Sequence, residues 1–103
     1  MPEHAVIIHI SLNGRGSTGR KARAEIWALE GQLEAALPPE CGEFDGDEFG
    51  AEEVVLYLYG PDADALFSTI ENLLRASSLR PMHAVLRYGE ASDALAVERR
   101  VDL

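Results

Sequence analysis

From Ala5 to Leu12 the chain alternates, with Val6, Ile8, Ile10 and Leu12 on one side of an extended strand and Ala5, Ile7, His9 and Ser11 on the other. A period of two predicts a half-buried β-strand. Beyond residues 13–19 the period changes, and Ala22, Ile26, Leu29, Leu33 and Leu37 recur at intervals of three and four, the spacing of an amphipathic helix. Ser17 or Thr18 can cap that helix, and Pro38-Pro39 ends it, because proline has no backbone N–H to continue the ladder. Trp27, next to the core-facing Ile26, is expected to be a partly buried packing residue.

Val54 to Tyr59 carries the strongest strand signal, with β-branched or aromatic residues at Val54, Val55, Tyr57 and Tyr59. Gly60-Pro61 breaks it, and Leu66, Phe67, Ile70, Leu73 and Leu74 then form the apolar stripe of a second helix. Pro61 suits the entry to that helix, and Asp62 and Asp64 complement its dipole. The helix is expected to end near Ser77-Ser78, before Pro81. In the strand from His83 to Tyr88, placing Arg87 in solvent puts His83 and Val85 beside it and turns Ala84, Leu86 and Tyr88 to the core.

Between the first helix and the strongest strand, residues 40–53 hold many acids and the glycines Gly42, Gly46 and Gly50. They read as a short edge strand near Gly42 to Asp45 followed by a turn, since charged side chains discourage edge-to-edge pairing. A plain loop over 40–52 is the rival. Leu95 to Val101 reads as an extended tail or an extra strand. The order β-α-β-β-α-β predicts a single α+β domain over residues 1–103, a ferredoxin-like sandwich with both helices on one face of an antiparallel sheet.

Composition narrows the function. The 103 residues are 47% hydrophobic, enough for one core, and the formal net charge is −9. An acidic surface disfavours nucleic acid, whose phosphates need Lys and Arg; it suits solubility or a basic protein partner. Cys41 has no second cysteine to pair with, which fits a reducing compartment. The first residues lack a basic leader, and no apolar run approaches the roughly 18 residues of a membrane span, so the expected location is cytoplasmic with no membrane contact.

Each candidate chemistry is weak. Gly14-Arg15-Gly16-Ser17-Thr18-Gly19 has G-x-G-x-x-G spacing between a strand and a helix, but the chain is too short for a doubly wound sheet, and Arg20-Lys21 does not match a P-loop. An anion-binding cluster of Arg15, Arg20 and Lys21 survives as the alternative function, that of a small-ligand regulatory domain. Asp45 to Gly50 fails calcium-loop register, because the twelfth position is Leu56 rather than Glu. No metal or other cofactor is expected, and no nucleophile–base pair marks an enzyme.

What remains is surface. His9, Val55, Tyr57, Tyr59, His83, Val85 and Arg87 share the predicted sheet face opposite the helices, too apolar to stay bare. Glu43, Asp45, Asp47 and Glu48 form a candidate acidic partner surface. The expected function is a non-enzymatic protein-interaction domain, as a homodimer or with a basic protein.

The segments Gly42-Glu-Phe-Asp-Gly46 and Tyr59-Gly-Pro-Asp-Ala-Asp-Ala-Leu-Phe67, with Leu86-Arg-Tyr-Gly89 downstream, resemble a group of small uncharacterised bacterial proteins. The resemblance spans most of residues 5 to 89. It implies a compact bacterial α+β domain and brings no activity or catalytic residue with it; an immunity-type role is a class association.

Overall fold

The computed structural model describes residues 3–12, 20–79, 81–90 and 92–103. Its elements are β1 (His4–Ser11), α1 (Arg20–Ala36), β2 (Glu43–Phe49), β3 (Glu53–Gly60), α2 (Ala63–Ala76), β4 (Met82–Arg87) and β5 (Glu98–Asp102). They form a two-layer α+β sandwich whose sheet runs β2-β3-β1-β4-β5, with every neighbouring pair antiparallel. Each helix carries the chain past one intervening strand: α1 links β1 to β2 beyond β3, and α2 links β3 to β4 beyond β1.

The alternation of the sequence decides which side of the sheet is covered. Val6, Ile8 and Ile10 of β1, Val54, Leu56 and Leu58 of β3, and Ala84 and Leu86 of β4 point one way and are buried. Against them pack Ile26, Leu29 and Leu33 of α1 and Leu66, Phe67, Ile70 and Leu74 of α2, so one apolar cluster holds both layers together. Burial of this area is the main favourable term in the fold. Tyr88 packs against the same cluster, on the side that Arg87 parity assigns to it.

Asp62 sets the start of α2, with its carboxylate accepting from the N–H groups of Asp64 at 3.0 Å and Ala65 at 3.4 Å. His4 adds a contact the sequence does not announce. Its Nδ1 accepts from the Ala63 N–H at 3.0 Å, its ring meets Tyr88 edge to face at 5.7 Å, and Tyr88 donates to Asp64 at 2.6 Å. Three elements are pinned at one end of the sheet by groups that satisfy one another.

Residues 43–49 form a full edge strand, longer than the expected Gly42 to Asp45 and excluding a loop over 40–52. Phe44 and Phe49 are five residues apart, so a regular strand would turn them to opposite faces. Here both pack on the core, because a bulge between Phe44 and Gly46 inserts Asp45 as an extra residue. Gly46 follows at φ +154°, a conformation side-chain-bearing residues rarely adopt. The expected C-terminal tail is β5, antiparallel to β4. Trp27 departs from expectation: it is 55% exposed, because it stands on the outer side of α1.

Candidate functional site

The sheet face opposite the helices is assembled by strand register. One row across it runs Glu48, Val55, His9, His83, Asp102; the next runs Gly46, Tyr57, Ile7, Val85, Arg100; the third runs Glu43, Tyr59, Ala5, Arg87, Glu98. All seven residues of the expected interaction face therefore lie on one surface, and each is half-buried. Its middle is apolar, through Ile7, Val55 and Val85 with the flanks of Tyr57 and Tyr59.

The charges are unevenly distributed over this face. Neither β2 nor β3 contains a Lys or Arg, so Glu43, Asp45, Glu48 and Glu53 make its β2–β3 half acidic. Burial pushes both tyrosine phenols above their ordinary value, helped at Tyr57 by the Glu48 carboxylate, to which it hydrogen bonds, and at Tyr59 by Asp45. Both phenols therefore stay neutral donors. On the other half Arg100 reaches Asp102 at 2.9 Å. Arg87 bonds Glu98 at 2.9 Å, and its Nε and Nη2 donate to the Glu90 carbonyl at 3.2 and 3.1 Å. Its guanidinium also donates to the Asp93 carbonyl, which makes it a brace for the loop between β4 and β5.

His9 and His83 stand side by side in the row nearest Glu53, rings 4.6 Å apart and 3° from parallel. His9 Nδ1 lies 3.2 Å from Glu53 Oε1. Burial holds His83 below its ordinary pKa, with Arg100 and His9 adding to the effect and Asp102 and Glu53 opposing it. These residues line an open groove of about 670 Å³. Among the described residues no group of three or more His, Cys, Asp or Glu is placed to hold a metal ion. No helix among them is long and apolar enough to cross a membrane.

The other sequence candidates do not converge. Asp47 lies opposite Leu56, on the helix side of the sheet: the bulge parts it from Glu43 and turns the adjacent Glu48 to Glu43's face. Its partner is Glu30 of α1, a residue no sequence pattern singled out. Desolvation and the hydrogen-bonded Asp47 carboxylate push Glu30 up to about 8, with Glu34 adding to the shift. Glu30 thus holds a proton more tightly folded than unfolded, so it contributes stability fully only below its ordinary pKa of 4.5 and loses it as pH rises toward about 8. Raising the pH from 5 to 8 is expected to cost on the order of 1 kcal/mol, since part of the pair stays in water. Urea titrations of wild type and Glu30→Gln check this; equal slopes of stability against pH would refute it.

Arg15 and the Gly14–Gly19 loop lie outside the described residues. Arg20 and Lys21 are exposed at the start of α1, and Arg23 stacks over the Phe49 ring at 4.9 Å. No protein-family model, curated protein or solved structure matches the chain.

Proposed function

We propose that the chain is a non-enzymatic interaction domain of ferredoxin-like topology, with β5 added to its edge, and that its open sheet face docks a protein with a basic surface. The strand order, with β1 between β3 and β4, supports the topology. One observation carries the docking reading: an apolar strip of Ile7, Val55, Tyr57 and Val85 is walled on its β2–β3 side by Glu43, Asp45, Glu48 and Glu53. An apolar centre with a charged rim is the anatomy of a protein interface. Rim acids steer and select a basic partner more than they add affinity.

A second copy is the second reading. A twofold axis along β1 would lay the β2–β3 half of one copy over Arg87 and Arg100 of the other, which favours it, although Asp102 and Glu98 already answer those arginines. The anion-binding role of Arg15, Arg20 and Lys21 gains no support from the placement of Arg20 and Lys21.

A synthetic peptide of alternating Lys and Leu tests the docking reading by NMR. Shift changes are expected to cluster on Val55, Tyr57, Tyr59 and Val85, and Glu48→Lys with Glu53→Lys to weaken binding about tenfold. Changes scattered over all acidic surfaces would sink it. Light scattering in the same buffer separates the homodimer.

A further inference from the structure

We propose that the stacked His9–His83 pair makes the open sheet face proton-sensitive, admitting a basic partner when both rings are neutral and turning it away when they are charged. The inference rests on the docking reading for its consequence, but the switch itself is a property of the free chain.

The geometry supplies the mechanism. Register fixes His9 of β1 directly opposite His83 of β4, and the rings stack at 4.6 Å, a spacing that suits neutral imidazoles. Two imidazolium ions there would repel, in a groove that also holds Glu53 of β3 and Arg100 and Asp102 of β5. Arg100 adds to the repulsion at His83, while Glu53 and Asp102 oppose it. Protonated His9 would claim the Glu53 carboxylate 3.2 Å away, and protonated His83 would be drawn toward Asp102. Of the rim acids offered to a basic partner, Glu53 would then be answered from within the chain, with two positive charges added beside the apolar strip at the Glu53 end of the face. Imidazole is the side chain whose ordinary charge change falls between pH 5 and 8, so the comparison is made at pH 7.5 and 5.5.

Paired sites of this kind titrate together. The first measurement follows the His83 ring resonances of the full chain by NMR from pH 8 to 5. The His83 midpoint is expected below 6.5. It should move upward in His9→Gln, which removes the neighbouring charge. A midpoint indifferent to His9→Gln overturns the switch.

The second measurement repeats the Lys/Leu peptide titration at both pH values. Wild type is expected to lose about tenfold in affinity on going from pH 7.5 to 5.5, and His9→Gln with His83→Gln to lose less than about threefold. That double variant keeps every carboxylate, including Glu30, so it isolates the imidazoles from the rest of the acid titration. Equal pH dependence in both proteins overturns the proposal. Coupled titration in a chain whose open face binds the peptide at neither pH supports the switch and overturns the docking reading instead.

Discussion

Gly60→Ala is expected to lower the unfolding free energy by about 3 kcal/mol, while Gly31→Ala raises it by up to about 1 kcal/mol. A methyl group on Gly60 would collide with the Cys41 carbonyl oxygen and lie 3.2 Å from Gly42 Cα. From the other side, a Cβ on Gly42 would come within 2.5 Å of the Tyr59 carbonyl. Two backbones cross there with no room between them, where the connection into β2 passes the end of β3. Backbone cannot swing aside as a side chain can, so relief would shift the β3 end and the Asp62 cap just beyond it. Gly31 is the internal control, because an added Cβ there meets nothing within 4 Å and the helix gains by losing a flexible residue. Urea midpoints at constant slope measure both. Equal effects of the same sign would show that the crossing is not tight.

Most of the sandwich is legible from period alone. The alternation of Val6, Ile8 and Ile10 and the spacing of Leu66, Ile70 and Leu74 each bury one side, and those sides meet in one core. Parity also placed His9, Tyr57, Tyr59, His83, Val85 and Arg87 on one face, since register in an antiparallel sheet leaves little freedom. What was hidden lies where an element breaks its own period. The five-residue spacing of Phe44 and Phe49 hid β2 beyond Asp45, and the bulge that reconciles them is what sends Asp47 to Glu30 and away from Glu43, while turning Glu48 to Glu43's face. A count of acids along the chain cannot divide them between faces. Parity puts Arg87 on the open face, but its role as a loop brace depends on the Glu90 and Asp93 carbonyls, a tertiary detail that leaves no mark in hydropathy. Trp27 shows the limit from the other side: adjacency to a core position says little in a helix, where neighbours stand about 100° apart.

Adjacent residues of β1 offer the most direct measure of whether the open face is covered in solution. Ile8→Ala is expected to cost about 3–5 kcal/mol, because Ile8 is fully buried between Leu56 and Ala84, where collapse around a cavity is limited. Ile7→Ala, half-buried one residue earlier between Tyr57 and Val85, is expected to cost about 1 kcal/mol, the transfer value of a partly exposed side chain. These values are for the free chain. If a second copy covers the face, Ile7 becomes core in the assembly, so the cost of Ile7→Ala rises toward that of Ile8→Ala and the melting temperature climbs with protein concentration. A small Ile7→Ala cost, with midpoints constant over a hundredfold range of concentration, removes the homodimer and leaves the face to a different partner. A large cost with constant midpoints would contradict both readings, since the side of the sheet turned away from the helices would then be core within the single chain.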